Sequence, residues 1–79
     1  MRRNDLDICA DILHVTRTGA KKTQIVYKAN LNFKILKKYL RRLVENGLLQ
    51  LAEERYYFTT RRGIQFLEQH RKLIAPISN

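Results

Sequence analysis

The side chains with chemistry to offer are cations. Lys34, Lys37, Lys38, Arg41 and Arg42 recur at steps of three and four, and Arg17, Lys21, Lys22 and Lys28 lie upstream of them. These nine bases meet no acid between Asp11 and Glu45, and their number equals the whole net charge of +9 that sixteen Lys and Arg leave against seven Asp and Glu. Elsewhere acids and bases balance, so positive charge is expected in one region. A focused field of that kind attracts a polyanion, and ammonium and guanidinium groups bind phosphate oxygens through charge-assisted hydrogen bonds.

The other reactive types offer little. His14, His70 and Cys9 fall short of a metal-ligand set at any usual spacing, so no metal is expected. Neither histidine has a sequence neighbour that makes a nucleophilic arrangement, and no glycine-rich phosphate cradle is present. An enzyme is therefore not expected, nor a cofactor, nor a small-molecule ligand sensed within the chain. Cys9 alone cannot close an internal disulfide and reads as a small hydrophobe on an apolar helix face, the alternative being an intersubunit disulfide. No run approaches the roughly 18 apolar residues of a membrane span. The Met-Arg-Arg-Asn start leads into an acidic amphipathic segment and not a signal-peptide core, so an intracellular, cytoplasmic location is expected. A hydrophobic content of 44% excludes a disordered basic tail, and 79 residues suffice for one domain, 1–79, with little core to spare.

The cations must be positioned by short elements. Asn4 can cap a first helix with Asp7 at its third position, and Ile8, Ile12 and Val15, flanked by Cys9 and Leu13, give it one buried face. After a break at Thr16 to Gly19, a second helix is expected from near Ala20 to Lys28, with Ile25 and Ala29 inward and Tyr27 partly so. Asn30-Leu31-Asn32 is the turn into a third helix, Phe33 to Asn46, capped by Asn32 and closed by Gly47. With Leu36 set at zero, Phe33, Leu40, Leu43 and Val44 fall within about a third of the circumference, a buried stripe. Lys37, Arg41, Lys34, Lys38 and Arg42 then follow at about 100°, 140°, 160°, 200° and 240°. A merely solvated face would interleave Glu for i,i+4 pairing, and here none is interleaved. Tyr39, like Tyr27, reads as a core or core-edge aromatic.

Leu48 to Ala52 and Arg55 to Thr59 read as a hairpin turning at Glu53-Glu54, with Tyr56 and Phe58 on one face and Arg55, Tyr57 and Thr59 on the other. Thr60 caps a fourth helix from Arg61 to Ala75, about 22 Å long and ended by Pro76. The fold class expected is mainly α with a small β-hairpin: three helices, a two-stranded wing about 48–59 and a final helix, the order of a winged helix-turn-helix domain.

Particular segments carry a resemblance. Gly19-Ala20-Lys21-Lys22-Thr23 with Ile25, Tyr27-Lys28-Ala29-Asn30-Leu31-Asn32, and Tyr39-Leu40 leading to Leu43 and Glu45-Asn46-Gly47-Leu48 resemble an archaeal winged-helix family that includes small chromatin-associated DNA-binding proteins. Tyr57-Phe58-Thr59-Thr60-Arg61-Arg62-Gly63 with Phe66-Leu67 is similar to the Tyr-x-aliphatic-Thr-x-x-Gly-x-x-Phe-Leu ending of winged-helix regulators. Two departures stand out. Thr59 occupies the aliphatic position, a minor loss of wing packing, and the fourth helix is short for the antiparallel coiled coil by which the family's chromatin members pair.

The resemblance and the basic third helix together imply double-stranded DNA binding, with that helix in the major groove. The expected role is transcriptional regulation; the alternatives are a sequence-tolerant chromatin protein or a protein-contact module in a transcription assembly. Lys34 and Lys38 are expected nearest the bases and Arg41 and Arg42 nearer phosphates, with Lys37 beside them. Arg17, Lys21, Lys22 and Lys28 should flank this surface, while Thr23 or the amides at the start of the second helix hold a phosphate oxygen. Asn30 and Asn32 are expected to cap first and touch bases second. Glu53-Glu54 should keep the wing tip off DNA. A homodimer is expected through Ile64, Phe66, Leu67, Leu73 and Ile74.

Overall fold

The computed structural model describes residues 3–74, Ile74 by its backbone only. The expected end of the last helix at Ala75 and Pro76 and the interface role of the Ile74 side chain lie outside the described residues. The elements are α1 (Asp5–Val15), a 3-10 turn (Thr16–Thr18), α2 (Lys22–Ala29), α3 (Phe33–Glu45), β1 (Leu49–Leu51), a second 3-10 turn (Glu53–Arg55), β2 (Tyr57–Thr59) and α4 (Arg61–Ile74). This is the expected order, and the core is built from Ile12 and Leu13 of α1, Ile25 of α2, Leu36, Tyr39, Leu40 and Leu43 of α3, Leu49 and Tyr57 of the hairpin and Leu67 of α4.

Local chemistry sets most boundaries. The Asn4 side chain accepts the Asp7 N–H at 2.8 Å while Asp7 accepts the Asn4 N–H at 3.4 Å, a reciprocal cap that satisfies two amides at the start of α1. Asn32 Oδ1 accepts the Ile35 N–H at 2.7 Å to open α3. At its end the Leu48 and Gly47 amides return to the carbonyls of Leu43 and Val44, with Gly47 at φ 75°, the left-handed exit its residue type allows. Asn30 performs the same service for α2 at φ 55°.

The structure departs from the expected elements at three places. Ala20 was expected inside α2, but its N–H and C=O bond to the Tyr57 carbonyl and amide at 3.0 and 2.8 Å, so α2 starts at Lys22. The strands are also shorter than expected, three residues each in the register Leu49↔Thr59 and Leu51↔Tyr57, because Glu53–Arg55 coils into a turn with Glu54 and Arg55 both at positive φ. Thr59, far from weakening the wing, donates to the Leu13 carbonyl at 2.7 Å and shares a 2.8 Å bond with the hydroxyl of fully buried Thr16, tying the hairpin to the end of α1.

The buried arc of α3 is rotated from the expected one. Leu36, Leu40 and Leu43 are joined inside by Tyr39, while Phe33 and Val44 are exposed at 56% and 39%. Tyr39 turns inward because its hydroxyl donates to Asp5 on α1, a bond that, with burial, holds the phenol above its ordinary range. Tyr27, expected to be half inside, is 88% exposed.

The Thr60-x-x-Gly63 ending has a packing reason. Thr60 accepts the Gly63 N–H at 3.1 Å and donates to the Gly47 carbonyl at 2.6 Å, drawing the start of α4 onto the exit of α3. Gly63 then lies so close to the Leu48 carbonyl that a Cβ would collide with it, and would stand 2.5 Å from Thr59 Cγ2. Farther along, His70 Nε2 meets Asp7 Oδ1 at 3.0 Å, joining α4 to the start of α1.

Candidate nucleic-acid interface

The outer face of α3 carries the cations. Lys34, Lys37, Lys38, Arg41 and Arg42 are all exposed and line one shallow trough of about 470 Å³, with Glu45 at its far end as the single acid. The buried leucines on the opposite side fix the direction of this face, and a rigid three-and-a-half-turn helix fixes the spacing along it. None of the five is within ion-pair distance of a carboxylate among the described residues. Each therefore presents its full charge to solvent, as a phosphate-binding surface requires.

Beside it lies a second basic hollow, built from two elements. Lys21, Lys22 and Thr23 at the start of α2 face Leu51, Arg55 and Tyr57 of the hairpin across about 320 Å³. The Lys21 ammonium sits 5.1 Å from the centroid of the Tyr56 ring, which holds it against the wing. Arg55 was missed as a member of this group; the positive φ of Glu54 and Arg55, not anything in the spacing, brings it back toward α2. Along the outer side of α2, Thr23, Gln24, Tyr27 and Lys28 line a further depression, so the exposed Tyr27 hydroxyl joins the donors available here.

Other expected contacts fall elsewhere. Arg17 does not flank the α3 face: its 3-10 turn directs it into a separate hollow of about 400 Å³ with His14, Ile64, Leu67, Glu68, His70 and Arg71. Asn32 spends its carbonyl oxygen on the α3 cap, and Asn30 serves as the left-handed end of α2. Of the expected pairing residues, Leu67 is buried in its own chain and Ile64 and Phe66 pack against the same core, because α4 lies along α1; Leu73 is 67% exposed. Arg3, given no role by the sequence, spans the helices: it pairs with Asp11 at 2.8 Å and donates to the Ala29 and Asn30 carbonyls at the end of α2. Its long range in sequence left no local signal.

Remaining reactive groups are subdued. Cys9 is half-buried, and burial, followed by the Asp5 carboxylate, pushes its thiol up, away from the reactive thiolate. Among the described residues no three His, Cys, Asp or Glu gather as metal ligands, and no helix is long and apolar enough to cross a membrane.

A basic third helix, a bridged hairpin behind it and a fourth helix closing on the first define a winged helix-turn-helix protein, and the chain belongs to that family, whose match extends over residues 2–77. Among its relatives, Uncharacterized protein MJ0287 of Methanocaldococcus jannaschii is 32% identical over 59 residues, which is 73% of this chain and 61% of that protein. The chain thus covers less than two thirds of that relative's length. The fold is also similar to the crystal structure of Sso10a-2, a DNA-binding protein from Sulfolobus solfataricus, with a TM-score of 0.84 and 28% identity over 98% of this chain and 84% of that one. This agrees with the archaeal winged-helix resemblance read between Gly19 and Leu67.

Proposed function

We propose that the protein binds double-stranded DNA by laying α3 in the major groove, and that it acts as a transcriptional regulator on the chromosome in the cytoplasm. The observation that carries this reading is the row of five exposed, unpaired cations on the free face of the helix that follows the turn. That helix in this family's fold enters the major groove with its first residues toward base edges. Lys34, Lys37 and Lys38 then lie nearest the bases and Arg41 and Arg42 at the backbone, while Lys21, Lys22, Thr23, Lys28, Tyr27 and Arg55 hold flanking phosphates. The likeness to Sso10a-2, itself a DNA-binding protein, supports the same reading and favours one second possibility, a sequence-tolerant chromatin role.

Two copies form the binding unit in this proposal. Leu73 of α4 and Leu6 of α1, 67% and 50% exposed, lie toward the same end of the α1–α4 pair, which Asp7 and His70 join, and a homodimer through that end covers both. One titration tests these points together. With the six cations assigned to phosphates each neutralising one per subunit, log K falls against log salt with a slope of about −5.4 for a monomer and about −11 for a dimer reading two half-sites. A ratio of about 10³ or more between sequences upstream of its own gene and random duplex identifies a regulator, and a ratio near one a chromatin protein. Absence of binding to duplex at low salt rejects the proposal.

A further inference from the structure

Phe33 has no packing role that accounts for it. It is the first residue of α3, is 56% exposed, and belongs neither to the buried core nor to the partly buried hydrophobic residues packed against it. Its neighbours Leu31 and Leu36 do that work, one on each side of the Asn32 cap. On the helix Phe33 stands about 40° from Lys37 and one residue from Lys34, at the margin of the basic face. In the DNA reading proposed above, on which this inference rests, that position is among those nearest the base edges. A phenyl ring there can neither donate nor accept a hydrogen bond. The one apolar group displayed in the major groove of unmodified DNA is the C5 methyl of thymine.

We propose that Phe33 is a specificity-determining residue that packs on a thymine methyl, giving the protein a preference for thymine under the N-terminal end of α3. Lys34 and Lys37 beside it donate hydrogen bonds to base edges and do not sense a methyl group, whereas the ring rejects a cytosine edge by leaving its amino group without a partner.

The test uses the full chain and duplexes that differ by one methyl group. An alternating A·T duplex is compared with the same duplex carrying deoxyuridine for thymidine, which leaves phosphates, hydrogen-bonding edges and minor groove alike. The wild-type protein binds the thymine duplex about fourfold more tightly per methyl contacted, the factor expected for burying one such group. Phe33→Ala, an exposed first-turn substitution that leaves the thermal midpoint in place, binds the two duplexes equally; Phe33→Leu keeps part of the preference. Placing 5-methylcytosine in an alternating G·C duplex restores a similar gain for wild type, which separates the methyl contact from A·T stiffness. Equal wild-type affinity for thymine and uracil duplexes overturns the assignment while leaving DNA binding intact, and so does a difference that persists in Phe33→Ala. Failure to bind any of these duplexes at low salt overturns the DNA reading and this one with it.

Discussion

Arg41→Ala and Arg17→Ala remove the same side chain and the same charge from two places, and the structure assigns them different consequences. Arg41 lies in the α3 trough between Lys38 and Arg42, exposed and without a carboxylate partner. Arg17 lies in the hollow between the end of α1 and α4. If Arg41 neutralises one phosphate, its loss changes the salt slope by about 0.9, from about −5.4 to about −4.5 per subunit. Over the decade from 1 M salt, where counterion release contributes nothing, to 0.1 M, that is about eightfold in affinity. Arg17→Ala changes the net charge by the same unit but removes no contact, so its slope stays within error of wild type and its affinity falls by less than about twofold through the weakened long-range field. Fluorescence anisotropy of a labelled 20-base-pair duplex at four salt concentrations reads both numbers. An Arg17→Ala slope as shallow as that of Arg41→Ala would falsify the placement of the contact surface on α3, and identical unchanged slopes for both would show that the trough does not touch phosphate.

Two further outcomes concern the frame that holds this surface. Gly63→Ala gains about 1 kcal/mol of helix propensity but drives a methyl into the Leu48 carbonyl and Thr59 Cγ2, an overpacking cost of about 3 kcal/mol. The net loss of about 2 kcal/mol lowers the thermal midpoint by roughly 8–16 °C in a domain of this size, and a rise in the midpoint would show that the close approach is absent. The His70 hydrogen bond, and after it the Asn4 amide, hold the Asp7 carboxyl below its ordinary range. A depressed carboxyl contributes stability above its unfolded pKa of about 4 and loses it as pH falls through the folded value, so wild type should lose urea resistance below about pH 4 more steeply than Asp7→Asn.

How much of this was legible depended on whether the cause was local. Asn4, Asn32, Gly47 and Thr60 act on amides or carbonyls within a few residues, and the helix ends they imply are where they were expected. The basic face of α3 was equally legible, since a 3.6-residue period requires no knowledge of the partner elements. The centre of the buried arc was not. Tyr39 is in the core, as its reading as a core or core-edge aromatic allowed, but the Asp5 carboxylate its hydroxyl meets lies 34 residues away in sequence, and no local signal marked Phe33 as the aromatic that stays out. Ala20 is a similar case, drawn out of α2 by Tyr57 across the fold. Arg17 was misplaced because a 3-10 turn, unlike a continued helix, rotated it toward α4.

The wing shows why charge counting by segment was insufficient. Glu53-Glu54-Arg55 reads as an acidic tip with a single compensating base, which suggests a wing that only repels DNA. In the fold the three do not act as one group. Two successive left-handed residues, Glu54 at φ 59° and Arg55 at φ 64°, each unfavourable by about 1–2 kcal/mol for a residue with a side chain, reverse the chain so that Arg55 joins Lys21 and Lys22 below the tip. The hairpin is thereby divided into a basic base that adjoins α2 and an acidic tip beyond it. In the proposed binding mode the base extends the phosphate contacts of α2 while the tip limits approach farther out, so the wing aligns the backbone without entering the minor groove. Base reading is then left to the start of α3, where the exposed ring of Phe33 stands between the cap and the first lysines.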